Sequence, residues 1–187
     1  PPFEGDIVDN EEYPLFAITQ RPAHMYHSWG AMNAWLRQII SRNALFIHND
    51  VGKEHGLEDG DWTWVISHNG RIKVQVKLMN GVNKDTVWTW NAIGKRKGAW
   101  GLDEDAPEFK KGFLLNHLIS DLLPKKKEGY DFANADPVTG QAAWFDLKVR
   151  LEKCLADEKK QTEPFYSSVR PKRWPKIVKL MFGRVKK

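Results

Sequence analysis

Residues 62–78, WTWVISHNGRIKVQVKL, decide the fold class. Side chains alternate between the two faces of an extended chain, so Trp62, Trp64 and Ile66 share one face. Asn69-Gly70 follows, a pair favoured in two-residue hairpin turns. The alternation then resumes, with Ile72, Val74, Val76 and Leu78 pointing in and Arg71, Lys73, Gln75 and Lys77 pointing out. A period of two on both sides of a turn predicts a hairpin with one face in a core.

Outward from this hairpin the same signal recurs in short pieces. Residues 13–19, 44–48 and 86–90 read as strands, the last ending at Asn91. In a closing strand Phe145, Leu147, Val149 and Leu151 alternate with Asp146, Lys148 and Arg150. Helical signals are few. Met32, Trp35, Leu36, Ile39 and Ile40 fall at i, i+3, i+4, i+7 and i+8, which predicts one buried helical face with Ser28 near its cap. Asn49-Asp50 predicts the cap of a one-turn helix ending at Gly56, and residues 113–123 a short buried helix carrying Asn116 and His117. Residues 94–101, 102–112, 124–131 and 134–141 read as loops or surface turns. Six or so short strands, few helices and long polar connections predict a small closed β-barrel with interleaved helices. The expected division is a linker at 1–12, the barrel domain at 13–155 and a basic tail at 156–187.

The chain has 187 residues, 41% hydrophobic and 28% charged, without an apolar run near the ~20 residues of a membrane span. It opens on Pro-Pro-Phe-Glu-Gly-Asp rather than a basic start and apolar core, so no signal peptide is expected there, and the missing Met predicts a fragment or processed chain. A single cysteine, Cys154, excludes an internal disulfide framework and suits a reducing, cytoplasmic compartment. The net charge of +5 is uneven. Eight cations and no carboxylate lie from Arg170 onward, leaving 21 of the 29 cations against 24 carboxylates elsewhere. The folded body therefore lacks the basic excess that phosphate-backbone binding requires.

The densest recognition chemistry lies at residues 18–40, ITQRPAHMYHSWGAMNAWLRQII. A strand delivers Thr19, Gln20 and Arg21 to a loop with His24, Tyr26, His27 and Ser28, and a helix follows. Free N–H groups and the dipole at a helix start suit an anion, and the Arg21 fork matches phosphate oxygens. Asn91, Asn116 and the loop ending in Gly140-Gln141 add amides, which offer a donor and an acceptor to a heterocycle edge. Each has an ordinary structural reading beside it, since helices need caps and turns favour Asn, Asp and Gly for backbone reasons. A zinc site finds no support: His24 and His27 have no second ligand pair at metal spacing.

Four blocks in order carry a resemblance: Thr19-Gln-Arg21 with His27-Ser28; Gly56-Leu-Glu-Asp-Gly-Asp61; Asn116 in LLNHLI; and Asp136-Pro-Val-Thr-Gly-Gln141. Over about residues 13–151 the chain resembles the C-terminal molybdopterin-dinucleotide-binding domain of the dimethyl sulfoxide reductase family of molybdenum oxidoreductases. HSWGAMNAWLRQI, VWTWNAIGKRKGAW and DPVTGQAAWFDL resemble most the branch handling sulfur oxyanions, of the sulfite-oxidising and thiosulfate- or polysulfide-reducing kind. The resemblance implies a double-psi β-barrel binding molybdopterin guanine dinucleotide. Thr19, Gln20, Arg21, His27 and Ser28 would hold pterin and pyrophosphate, with Asn116, Gly140 and Gln141 on the other side and Asn91 and Lys148 as additions. Many relatives carry Gly where this chain has Gln20. The family's metal ligand and iron–sulfur motif lie in an earlier domain, so this chain is expected to hold no metal and no catalytic residue of its own. Implied partners are the remainder of the catalytic subunit, an iron–sulfur electron-transfer subunit, and a membrane anchor subunit through which the protein would reach the membrane.

Two other classes compete. Nine Trp and a pI near 9.2 suit a non-enzymatic module binding nucleic acid or protein through Trp-rich strands and the basic tail. Against it stand the acidic balance of residues 1–169 and the alternation of the Trp with aliphatics. A free-standing barrel enzyme lacks an evident nucleophile–base pair.

Overall fold

The computed structural model describes residues 8–27, 29–91, 93, 105–120, 134–136, 138–142, 146–158 and 165–166. Seven strands are present among them: β1 (Leu15–Gln20), β2 (Leu45–His48), β3 (Trp62–Ser67), β4 (Gly70–Met79), β5 (Thr86–Trp90), β6 (Lys148–Lys153) and β7 (Phe165–Tyr166). Three short helices accompany them, α1 (Ala34–Ile39), α2 (Asn49–Glu54) and α3 (Glu108–Lys111), with 3-10 turns at Trp29–Met32 and Leu115–Leu118.

The strand order is β2-β5-β1-β6-β3-β4-β7, and a further β2–β4 pairing closes the first six into a barrel. Two pairs are parallel, β1 with β5 and β2 with β4; the other pairs around the barrel are antiparallel. It follows that β1, β3 and β5 run one way and β2, β4 and β6 the other. One end therefore gathers the C-termini of β1, β3 and β5, and that end is the mouth of the barrel. The alternating residues fill the interior: Ala17, Leu45, Ile47, Val65, Ile72, Val74 and Val149 are fully buried. A buried Val, Leu or Ile contributes about 1.5–3 kcal/mol relative to exposure. At the mouth the interior is plugged by Phe113, Leu115 and Leu118, which join the same core.

Four expectations are corrected. The hairpin turn is His68-Asn69, since Ser67 already pairs with Gly70. Neither turn residue has a positive φ, and the Ser67 hydroxyl accepts from Asn69 N at 3.2 Å, which supports a turn without glycine. Second, two lysines that alternation sets on the face opposite the apolar residues, one of them (Lys73) expected to point out, are buried. Lys73 Nζ lies 4.5 Å from the Trp64 ring centroid and 3.9 Å from Glu158, because β7 and residues 154–158 cover this outer face. Lys148 Nζ donates to Pro14 O at 3.2 Å and sits over the Phe16 ring at 3.7 Å, and burial lowers its pKa. Alternation reports which face a side chain takes, not whether that face is covered.

Third, α1 has no fully buried residue, and Met32, Trp35 and Ile39 are exposed. Only Leu36 and Ile40 of the expected face pack, with Trp90, against Met25 and Ile93. Its cap is Asn33, whose Oδ1 accepts from Trp35 N at 2.9 Å and Leu36 N at 3.3 Å, so the α-helix begins after a 3-10 turn rather than near Ser28. Fourth, of the helix expected at 113–123, the described residues 113–120 form a single 3-10 turn, and 121–123 lie outside the described residues. The Leu118 carbonyl is taken by Ser67 Oγ at 2.8 Å and Asn69 Nδ2 at 3.1 Å, which ties the plug to the end of β3 instead of extending a helix. The one-turn helix α2 is present, capped by His48 Nδ1 accepting from Asp50 N at 3.0 Å, one residue earlier than expected.

Candidate functional site

Parallel pairing of β1 with β5 sets Thr19 beside Thr89 and Gln20 beside Trp90, so the chain leaves both strands at the mouth side by side. The two exits are joined there by Asn91 N donating to Gln20 O at 2.9 Å. Beneath them lies Asn43, 2% exposed. Its Nδ2 donates to Trp90 O at 3.0 Å and Phe113 O at 3.2 Å, and its Oδ1 accepts from Thr89 Oγ1 at 2.8 Å and Trp90 N at 3.2 Å. One amide thus fixes the end of β5 to the plug.

The loop after β1 turns back at Pro22, whose carbonyl accepts from Met25 N at 3.1 Å, and buried Met25 anchors it. Beyond that anchor Arg21 Nη2 donates to His27 Nε2 at 3.1 Å, using one of five guanidinium donors. The guanidinium lies 5.6 Å from the Tyr26 ring centroid, and Tyr26 meets His27 edge-on at 4.9 Å. Accepting at Nε2 requires a lone pair there, which places the ring proton of neutral His27 on Nδ1. His27 has φ 47°, the left-handed region that non-glycine residues occupy at a cost of ~1–2 kcal/mol. Strain of this kind persists where surrounding structure imposes it, and functional loops are a common setting.

Asn116 is exposed on the 3-10 turn of the plug, with its carbonyl accepting from Ile119 N at 3.3 Å. Burial lowers the pKa of the neighbouring His117. Asn134 Nδ2 donates to Ser120 O at 3.3 Å and ties the next polar loop to this segment. That loop is built on Asp136. One carboxylate oxygen accepts from Thr139 N at 2.7 Å, Val138 N at 2.9 Å and Thr139 Oγ1 at 3.0 Å, and the Thr139 bonds foremost hold the carboxyl below the usual range. Asp136 N donates to Gln141 O at 2.7 Å, Gly140 N donates back to Asp136 O at 2.8 Å, and Gly140 has φ 71°. Gly140 and Gln141 are therefore exposed on a tightly bonded turn just before β6 enters at the mouth.

Thr19, Gln20, Arg21, His27 and Asn91 thus form one group. Asn116, Gly140 and Gln141 form a second, and the two are linked through Asn43 and the Phe113–Ser120 segment. Ser28 lies outside the described residues, as do the loop at 94–101 and most of the tail. Lys148 is engaged with Pro14 and Phe16 on the outer face. Two polar atoms near the first loop are buried without a hydrogen-bond partner among the described residues: His24 Nε2 and Asn91 Oδ1. Buried polar atoms in native proteins are nearly always paired, so such a pair suits a ligand with polar edges. His24 carried no sequence signal beyond lying in a polar loop, and Asn43 none, since an Asn before a strand reads as a turn. No group of three or more His, Cys, Asp or Glu among the described residues is arranged to hold a metal ion. No described helix is long and apolar enough to cross a membrane.

A closed barrel with guanidinium, imidazole and amide groups at one mouth defines a cofactor-binding module. Residues 15–134 match the family model of the molydopterin dinucleotide binding domain, and the chain belongs to that family. The domain accordingly binds a molybdopterin dinucleotide, and the donor set fits one: cationic and imidazole donors for a pyrophosphate, amides for ring edges. The chain is 53% identical over 163 residues to a sulfite dehydrogenase subunit from Allochromatium vinosum, covering 87% of this chain and 17% of that protein. It is 26% identical over 96 residues to the thiosulfate reductase molybdopterin-containing subunit PhsA of Salmonella typhimurium, covering 50% of this chain and 12% of that one. Among solved structures, acetylene hydratase from Pelobacter acetylenicus shares the fold, with a TM-score of 0.57 and 21% identity over 78% of this chain and 19% of that chain. The chain thus spans less than a fifth of the length of each.

Proposed function

We propose that this chain is the cofactor-gripping domain of a larger molybdenum oxidoreductase catalytic subunit, and that its ligand is molybdopterin guanine dinucleotide. The observation that carries the reading is the meeting, at one barrel mouth, of the Arg21–His27 pair with the unpartnered Asn91 Oδ1 and His24 Nε2. In this reading Arg21, His27 and Ser28 take the pyrophosphate, while Thr19, Gln20 and Asn91 face the ring edges from one side and Asn116, Gly140 and Gln141 from the other. The bound group supplies the redox chemistry, with its molybdenum held by protein outside this chain; the residues here bind and orient it. The double-psi form of the barrel belongs to the same proposal, supported by the two parallel pairs β1–β5 and β2–β4. So does the division into a linker at 1–12, a barrel at 13–155 and a tail at 156–187.

Sulfur oxyanions are the proposed substrates, supported by the sulfite and thiosulfate enzymes among the relatives. A cytoplasmic setting, an iron–sulfur partner and a membrane anchor partner complete the reading. The nucleic-acid alternative loses support on the strands it invoked. Trp64 is enclosed by Arg71, Lys73 and Phe165, and Trp88 is stacked on Phe46 at 3.9 Å.

The test is Arg21→Ala in the full-length protein, with guanine nucleotide released by acid and quantified per protein. Loss of a charge-assisted contact of about 1.5–3 kcal/mol weakens binding roughly 10- to 100-fold. Unchanged nucleotide content after dialysis refutes the assignment of Arg21. Absence of guanine nucleotide from the unaltered protein refutes the ligand. Failure to turn over sulfite or thiosulfate with a dye acceptor refutes the substrate class.

A further inference from the structure

Just ahead of β2, Asn43 spends its whole amide inside the protein. Both Nδ2 protons are donated, one to Trp90 O at 3.0 Å and one to Phe113 O at 3.2 Å. Its Oδ1 accepts from Thr89 Oγ1 at 2.8 Å, Ala44 N at 3.1 Å and Trp90 N at 3.2 Å. The pattern at Trp90 has a structural reason. β2 pairs with β5 through Phe46 and Trp88, and at Trp90 the Asn43 amide makes the bonds to N and O that a strand partner would make. A side-chain amide offers a donor and an acceptor together, so it can stand in for a peptide unit. Along its other edge β5 is paired with β1 as far as Gln20 with Trp90. The end of β5 is thereby held from both edges at the residue before Asn91, whose Oδ1 is buried without a partner among the described residues.

We propose that Asn43 is a positioning residue for the bound cofactor. Through Trp90 it sets the strand exit that carries Asn91, and through Phe113 it sets the segment that carries Asn116. The inference rests on the reading of the mouth as a dinucleotide site, and it gives Asn43 no contact with the ligand. At 2% exposure, with both donors taken by the protein, the amide acts through the residues it holds. The residue type is restrictive. An ionised Asp offers no donor, Ser one and Leu none, so none of them can donate to Trp90 O and Phe113 O together. Thr89, itself fully buried, presents its hydroxyl to Oδ1 and so fixes which edge of the amide accepts. A ligand gripped from two segments is held only as well as those segments are held to each other, because a contact displaced by more than about 0.5 Å leaves its productive geometry.

The experiment takes the cofactor-loaded full-length protein and follows the guanine nucleotide retained during dialysis, at a temperature where every variant is folded. Asn43→Ala is compared with Ile47→Ala, which empties a fully buried position near the end of β2, away from the mouth. The expected result is release about 10-fold faster from Asn43→Ala, the equivalent of one or two hydrogen bonds to the ligand, and an unaltered rate from Ile47→Ala. Asn43→Ala isolated empty beside a loaded Ile47→Ala is the same result at its limit. Thr89→Val keeps the amide and removes the hydroxyl that orients it, so release about 2-fold faster or more is expected. That variant decides alone where Asn43→Ala does not fold. A purely structural role makes the Asn43 and Ile47 variants alike, so release from Asn43→Ala no faster than from Ile47→Ala overturns the inference. Where Thr89→Val decides, an unaltered rate overturns it. An unaltered protein that holds no guanine nucleotide sinks the reading of the mouth itself, whereas a loaded protein whose variants release alike sinks only the role of Asn43.

Discussion

Replacing Asn43 with Ala tests whether one amide holds the mouth together. The side chain is almost wholly buried and spans three segments, the start of β2, the end of β5 and the Phe113 plug. In Asn43→Ala the carbonyls of Trp90 and Phe113 and the amides of Trp90 and Ala44 lose this partner, while Thr89 Oγ1 keeps Ala44 O at 3.0 Å. Four groups losing a bond of about 1 kcal/mol each predict a destabilisation of roughly 4 kcal/mol. In a chain of this size that lowers Tm by about 10 °C. The assay is urea denaturation followed by tryptophan fluorescence, with amide hydrogen exchange at Trp90 as a local readout. Asn43→Asp keeps the acceptor but removes both donations and buries a charge, so it is expected to be no better than Ala. A loss below about 1 kcal/mol for Asn43→Ala, with Trp90 still protected, refutes the argument, because ordinary surface substitutions stay within ~0.5 kcal/mol.

Ile72→Ala empties a fully buried position in the barrel and is expected to cost about 2–5 kcal/mol in the same denaturation assay, against at most ~1 kcal/mol for the exposed Lys77→Ala. Gly140→Ala meets no neighbour but forces a side chain to φ 71°, so a loss of about 1–2 kcal/mol is expected from conformation alone. Asp136 has a depressed carboxyl pKa, so its contribution is complete above the ordinary value of 3.8 and is lost as pH falls through the lowered one. The Tm gap between the unaltered chain and Asp136→Ala should therefore narrow on acidification from pH 5; a gap that widens refutes the role of the Thr139 and Val138 bonds. His117 is held below 6.5 by burial, so the unfolded chain binds the proton more readily and stability falls as pH drops from 6.5 toward the folded value. His117→Gln should flatten that part of the Tm profile.

The hairpin at β3–β4 was legible because period-two alternation is a local property of the chain, and the interior positions Ile72, Val74 and Val76 follow from it directly. Coverage is not local. Lys73 and Lys148 alternate as surface residues do, yet Trp64, Glu158 and Phe165 close over one and Pro14 and Phe16 over the other. Asn43 shows the same limit at a polar position. Its partners are 46–70 residues away in sequence, and an Asn ahead of a strand has the signature of a turn.

The candidate site was legible as chemistry and illegible as geometry. Arg21, His27 and the amides could be picked out by residue type, but nothing in the alternation says that β1 and β5 are parallel. That single topological fact brings Gln20 and Asn91 within 2.9 Å of backbone contact. An antiparallel pairing would have sent the loop after β5 to the opposite end and separated the two groups by the length of a strand. The α1 segment presents the converse case. Its helical period correctly marks an apolar face, and the domain itself leaves Trp35 and Ile39 in water. A pattern that local structure leaves unsatisfied is evidence about what lies outside it, because exposing that much ring surface without a partner is unfavourable at about 25 cal/mol per Å².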